Sequence, residues 1–450
     1  MCYYSLIPAK IDPGWGIYCF IIAVCSLAFT PFHASGETLF LEPQISVEQE
    51  YNDNILFEHD NPQQDYIGTI SPAFSVKQKT PRLDSNLRAS LDAIFYKDYD
   101  ELNSVDKHGS ASVDYRLTER LKVGGSAGYL EDSRSDREID DTGLTIAGER
   151  EQIRGGLSGQ YQFSEITNLD FTAGYTNEDI QVRGNENNDT LRAQFSLSRN
   201  ISKLFRNTTA LFDISYMNYQ SESPFVRELN FEDLPDDILV VIVDPQEGSA
   251  PSGLIQNYIS SSDYDVWNIT AGFSRQMTER LSFFLKTGAS CLASVEDSSL
   301  SITSADTTLY SAQSSVDGGT NWGWLLFSGI SYTGLYDRID ANISRDVQTA
   351  SGLNGTTERS AISLKYTRKI SEKLSTRLSG TCYLNQSDRV SRSDIDELTL
   401  SGIAGMTYDF SRMWRGSLNW NYIRVEERAD DLWRDRNRVY ATVVRNFSLN

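Results

Sequence analysis

Few residues in this chain have the type and spacing to do chemistry. Gly124-Gly125-Ser126-Ala127-Gly128 has the spacing of a nucleophile elbow, in which a serine hydroxyl is held clear of a strand-to-helix turn. Here the five residues lie inside a strictly alternating stretch, so Gly124, Ser126 and Gly128 share one face and leave room there instead of building a turn. A serine nucleophile also needs a base. Beyond the N-terminal apolar segment the only histidines are His59 and His108, both near segments read as loops, and nothing flanking either one completes a general-base arrangement. Cys291 and Cys382 sit in alternating segments with no histidine nearby, so they read as small residues on an apolar face, with a disulfide as the alternative in an oxidising compartment. The expectation is no enzyme, no catalytic residue, no metal and no cofactor.

Charge excludes a second class. The 450 residues carry a formal charge of -21, and a nucleic-acid partner would need a basic footprint. The acids concentrate in stretches read as connections, at residues 98–101, 131–141, 185–189 and 233–244. They serve solubility or, in the functional alternative, divalent-cation bridging to anionic lipid headgroups.

These residues must be positioned by elements of unusual length. Residues 15–29 form the one long apolar run, with Lys10 before it and Ala34-Ser35-Gly36 after it. Residues 1–36 therefore read as a signal peptide, with an uncleaved anchor helix as the alternative, and residues 37–450 as one domain. That domain repeats a unit of alternating segment, short turn and alternating segment. The turns share a hydroxyl residue beside a charge: Thr118-Glu119-Arg120, Ser164-Glu165-Ile166-Thr167, Ile201-Ser202-Lys203, Met277-Thr278-Glu279-Arg280, Ile370-Ser371-Glu372-Lys373 and Ser411-Arg412-Met413. Thr80-Pro81-Arg82 and Thr333-Gly334-Leu335 are looser members.

Alternation alone fits a soluble sandwich as well as a membrane barrel. Three features favour the barrel. The segments run to about ten residues or more, the length of a tilted membrane-spanning strand. Connections alternate between short turns and longer acidic loops, the asymmetry of periplasmic and extracellular ends. Tyr115, Tyr129, Tyr161, Tyr175, Tyr216, Tyr366, Tyr408 and Tyr422 stand at strand ends, where interfacial aromatics belong. The hydrophobic content of 39% with 11% aromatics suits strands in which only alternate residues meet lipid. The prediction is an all-β, transmembrane, antiparallel up-and-down β-barrel of about eighteen strands, sixteen being the other count the spacing allows. Its location is the outer membrane of a Gram-negative cell envelope. Lipid, lipopolysaccharide and the barrel-assembly machinery are the expected partners, the last through the spacing of Phe447 and Leu449 near the C-terminus.

With Leu121, Phe171 and Phe212 facing lipid, their neighbours line the interior. Predicted pore-lining residues are Arg88, Arg116, Lys122, Arg154, Arg192, Lys286, Lys365, Arg377 and Arg415, with Asp170, Asp213 and Asp340. Asp92, Asp114 and Asp409 are further inward acids, and the slight excess of bases points to anionic solutes, with cross-strand pairing that stiffens the wall as the competing account. A long connection at residues 222–262 contains the apolar run Ile238-Leu239-Val240-Val241-Ile242-Val243. Exposed to water, that run would aggregate, so it is expected to fold into the mouth as a plug or constriction, with an added strand or a partner contact as alternatives.

The start of the mature region, Pro43 followed by Tyr51-Asn52-Asp53-Asn54-Ile55 and then Ile70-Ser71-Pro72, resembles an outer-membrane β-barrel porin family whose members accompany exopolysaccharide-export and PEP-CTERM (exosortase) systems. The resemblance implies transport through a water-filled pore. By association it also implies export of an anionic exopolysaccharide or other envelope solute, with polysaccharide-export components as partners. The alternative is an occluded barrel that anchors an envelope or polysaccharide-secretion complex.

Overall fold

The computed structural model describes residues 38–133, 149–182, 184–229, 254–304, 307–349, 356–387, 396–428 and 431–447. Alternating β-branched, aromatic and small polar residues build strands throughout. The first six are β1 (Thr38–Asn52), β2 (Asp65–Lys79), β3 (Leu83–Tyr96), β4 (Ser104–Arg116), β5 (Leu121–Asp132) and β6 (Glu149–Ser164). Then come β7 (Thr167–Val182), β8 (Gly184–Asn200), β9 (Thr208–Leu229), β10 (Leu254–Gln276), β11 (Leu281–Ser304) and β12 (Thr307–Thr333). The last six are β13 (Asp337–Thr349), β14 (Thr356–Lys369), β15 (Leu374–Ser387), β16 (Asp396–Asp409), β17 (Trp414–Glu427) and β18 (Leu432–Asn446).

Every strand pairs antiparallel with its sequence neighbours, and β1 pairs with β18 from Gln44 opposite Asn446 to Asn52 opposite Arg438. This closes an 18-stranded barrel among the described residues, as the repeat count predicts. Closure satisfies the ladder without an edge, which backbone surrounded by lipid requires. The hydroxyl of the turn motif has a specific task. Thr118 Oγ1 accepts the amides of Arg120 (3.2 Å) and Leu121 (3.0 Å), and Thr80, Thr278, Ser371 and Ser411 do the same in their own turns.

The register is continuous around the barrel and assigns each residue to a face. On the outer face Leu157, Phe195, Ile269, Ile330, Ile362, Leu378 and Leu418 are exposed, an arrangement that fits lipid rather than water. All eight predicted tyrosines lie on this face in two bands. Tyr115, Tyr161, Tyr366 and Tyr408 stand near the short turns, and Tyr129, Tyr175, Tyr216 and Tyr422 form a second level further from them, each well past the start of its strand. Cys291 and Cys382 are free and fall on the outer face, opposite Trp267 and Ile362 respectively.

Several connections differ from their sequence reading. Residues 185–189 belong to β8, and only residue 183 separates β7 from β8. Outside lipid a strand needs ladder partners but not apolar side chains, and Asn177 supplies polar ones by donating to Asn187 Oδ1 (2.9 Å) and Asp189 Oδ1 (3.1 Å). For the same reason β9 continues to Leu229 and β10 starts at Leu254, so residues 222–229 and 254–262 of the predicted loop are strand. Residues 297–304 and 307–320, where alternation in the sequence fades, are strand, with register shifts between Ser294 and Val295 and between Ile302 and Thr303.

β12 pairs with β13 only from Leu326 opposite Arg345 to Thr333 opposite Arg338. Beyond that point the two separate. Val347 of β13, although on the outward side of its own strand, joins a buried cluster with Met217, Tyr219, Tyr264, Val266 and Leu292 from the inner faces of β9, β10 and β11. The end of β13 is therefore tucked beneath its long neighbours.

Candidate functional site in the lumen

The register places all twelve predicted lining residues on the inner face. Arg88, Arg116, Lys122, Arg154, Arg192, Lys365, Arg377 and Arg415 are exposed there, while Lys286, Asp170, Asp213 and Asp340 are half-buried. Some of the charges pair. Lys122 meets Asp114 at 3.2 Å, Lys286 meets Asp213 at 2.9 Å, and Arg415 meets Asp409 at 2.7 Å. Asp340 is held by Arg338 Nε at 2.8 Å and by Ser331 Oγ at 2.7 Å. Among the described residues, Arg88, Arg116, Arg154 and Arg377 have no ion-pair partner, and Lys365 stands opposite Asp340 in the ladder. The wall therefore combines neutralised pairs with unpaired cations, and both sequence accounts of its charge apply to different residues.

Ser126 of the elbow-like motif sits mid-strand in β5, opposite Ser112 and Gly156. The glycines beside it make room for their neighbours. A Cβ at Gly124 would stand 2.5 Å from Ser158 Oγ, and one at Gly128 would stand 2.8 Å from Arg154 Cγ. His108 lies 3.0 Å from Asp92, and His59 contacts the Trp433 carbonyl, each apart from that serine in the ladder or in a loop. No group of three or more metal-ligating side chains occurs among the described residues.

Among the described residues at the mouth, the β1–β2 connection, residues 53–64, folds inward. Asp53 anchors its start: its carboxylate accepts the Asn437 amide at 2.7 Å and the Asn437 side chain at 2.9 Å. Asn54 then ties down three backbone groups. Its Nδ2 donates to the carbonyls of Glu58 (2.8 Å) and Asp435 (2.9 Å), and its Oδ1 accepts the Glu58 amide (2.9 Å). Asn52 Oδ1 accepts the Asn54 amide at 3.0 Å and completes the reversal.

The reversal delivers two apolar side chains to the inner wall. Ile55 is fully buried against Ile67, Ile94 and Tyr96 of β2 and β3. Phe57, at a φ of 52°, packs on Ile423 and Val425 of β17. The Arg434 and Arg436 guanidiniums lie 5.4 and 5.3 Å from its ring centroid, positions favourable to a cation over an aromatic face. Tyr99 donates to Gln63 Oε1 at 2.6 Å and fixes the far end. The segment thus spans the arc from β17 through β18 and β1 to β3.

Sequence reading placed a plug at residues 238–243, which lie outside the described residues, as do residues 1–36. It quoted Tyr51-Asn52-Asp53-Asn54-Ile55 only as a family signature. The signal for an inward turn was present in Asn52, Asp53 and Asn54, side chains that bond to nearby backbone, followed at once by Ile55 where a loop should be polar.

Below Phe57 on the wall of β13–β17 lies a cleft of about 330 Å³. Lys365 and Arg377 stand in it with Tyr383, Asn421 and Ile423. Ladder pairing sets Ser363, Thr381 and Ser401 in one row.

No family model matches the chain, and no curated protein matches it. Among solved structures it is similar to a mutant of the ferric enterobactin receptor PfeA from Pseudomonas aeruginosa, at 10% identity and a TM-score of 0.39, over 90% of this chain and 80% of that one. It is similar to the ferric citrate transporter FecA, unliganded, at 10% identity and a TM-score of 0.48, over 90% and 78% respectively. It is also similar to the toluene transporter TodX from P. putida, at 11% identity and a TM-score of 0.33, over 94% and 92%. The chain's own architecture carries the conclusion. A closed cylinder of antiparallel strands, apolar outside between two aromatic bands and charged within, is an outer-membrane β-barrel of a Gram-negative bacterium.

Proposed function

We propose that this barrel is a passage for anionic solutes, kept closed at the extracellular mouth by residues 53–64. The observation that carries the proposal is the contrast between that docked segment and the lumen beneath it, where Arg88, Arg116, Arg154 and Arg377 stand without carboxylate partners among the described residues. Unpaired cations on the low-dielectric wall of a water-filled tube attract anions and repel cations. Movement of the segment would open the mouth without breaking the β1–β18 ladder, which ends at Asn52 opposite Arg438, because the contacts that hold it are side-chain packing and the bonds of Asp53 and Asn54 to Asn437 and Asp435 beyond that last pair.

Export of an anionic exopolysaccharide, with polysaccharide-export components as partners, is the use that the family resemblance implies, and the sign of the lumen charge supports it. The second reading, an occluded barrel that anchors an envelope complex, is favoured by the burial of Ile55 and Phe57. Single-channel recording in planar bilayers separates the two. Deleting residues 55–63 should turn a nearly silent barrel into a conducting, anion-selective one. A deletion variant that inserts but stays silent would favour the occluded reading, and cation selectivity would remove the anion reading.

A further inference from the structure

The cleft beneath Phe57 has a chemistry more specific than a charged wall. We infer that it is a binding site for a small polyhydroxylated carboxylate, a sugar acid of one or two rings, seated on β14–β17; this rests on reading the lumen as an anion passage. Its volume of about 330 Å³ lies at the lower end of small-molecule sites, too small for a folded polypeptide and sufficient for a saccharide unit.

Three observations select the ligand. First, the cleft has an excess of positive charge. Lys365 and Arg377 are diagonal neighbours across the β14–β15 ladder. The one carboxylate beside them, Asp340, is already engaged by Arg338 through Oδ2 at 2.8 Å and Oδ1 at 3.2 Å, and by Ser331. Arg377 is exposed to the lumen and has no ion-pair partner among the described residues, so its planar fork is available for a carboxylate.

Second, Asn421 lines the cleft at 4% exposure, and its Oδ1 accepts no hydrogen bond among the described residues. A buried carbonyl oxygen of this kind needs a donor. A simple carboxylate or a halide brings none, whereas a sugar hydroxyl does. Third, the row of Ser363, Thr381 and Ser401 offers hydroxyls that both donate and accept, matched to the hydroxyls of a ring. Tyr383, beside the row, supplies an aromatic face. Anion recognition at one end and hydroxyl recognition along the wall together describe a sugar acid.

The test uses the mature barrel in detergent micelles, where binding is read by calorimetry and requires no conductance. Galacturonate, galactose and acetate are titrated in turn. Galacturonate should bind saturably, with galactose and acetate each weaker by roughly tenfold or more, since each lacks one half of the recognition. The Lys365→Gln/Arg377→Gln double variant should weaken galacturonate by at least about tenfold. Ser401→Ala, a milder change in a half-buried position, should weaken galacturonate while leaving acetate unchanged. Acetate binding as tightly as galacturonate, galacturonate binding unchanged in both variants, or no saturable binding would each overturn the inference. The outcome stays distinct from that of the passage reading. Galacturonate binding by a silent barrel would keep the site and discard the passage, while anion conductance without galacturonate binding would discard the site alone.

Discussion

Two stretches of one inner wall are built from the same alternation and have opposite character. Along β1, β2, β17 and β18 near the mouth, Glu50, Asn52, Asp65, Ile67, Val425, Arg436 and Arg438 are buried. Nearer the turns, Arg88, Lys122, Arg377 and Arg415 stand exposed on the same face. The difference is the segment laid over the first stretch. Period-two alternation decides which face a side chain occupies, but whether that face is wet depends on what covers it.

Ion pairs offer the sharpest way to break this contrast. Arg438 and Glu50 lie 3.9 Å apart with side chains 3% exposed each, beneath the covered arc. Arg438→Ala should cost about 3–4 kcal/mol, because it leaves a buried carboxylate short of its cation. Urea unfolding from lipid vesicles would measure this, and a cost near zero would mean that water reaches the arc.

Ile55→Ala comes next. It removes the fully buried side chain between Ile67, Ile94 and Tyr96 and should weaken segment docking by about 2–3 kcal/mol. The expected sign is faster hydrogen exchange confined to residues 53–64 and brief channel openings.

Asn54→Ala should cost about 1–2 kcal/mol. It abolishes side-chain bonds to the backbone of Glu58 and Asp435 while leaving the apolar anchors in place. Opening frequency in single-channel records should rise less than for Ile55→Ala, and the reverse order would shift the weight of docking from packing to the turn.

The smallest effect belongs to the uncovered wall. Lys122 and Asp114 pair at 3.2 Å with side chains nearly half exposed, and Lys122→Ala should change stability by less than about 1 kcal/mol. A large loss would show that the lower wall is as dry as the mouth.

The plug expected at residues 238–243 and the inward segment at residues 53–64 that the structure reveals illustrate what a sequence displays and what it conceals. The run at residues 238–243 stands out because six apolar residues follow one another. The segment that folds inward carries only Ile55, Leu56 and Phe57 among polar residues, too short a signal for periodicity to detect. Its docking depends on Asn437 and Asp435, nearly four hundred positions away, which reach it only because β18 closes against β1. The cleft is similar. Its polar residues could be assigned to the inner face one strand at a time, but their gathering into a single concavity depends on the registers of β13 to β17.

The sequence by itself determined the inward and outward faces of the clearly alternating strands, the chemistry of the turns and a barrel of eighteen or sixteen strands, because these follow from local alternation and from hydroxyls that bond to backbone within three residues. Only the tertiary structure decided which connection enters the lumen, which charges pair and where a solute-sized cleft opens. Those outcomes depend on strands distant in sequence being brought side by side by barrel closure.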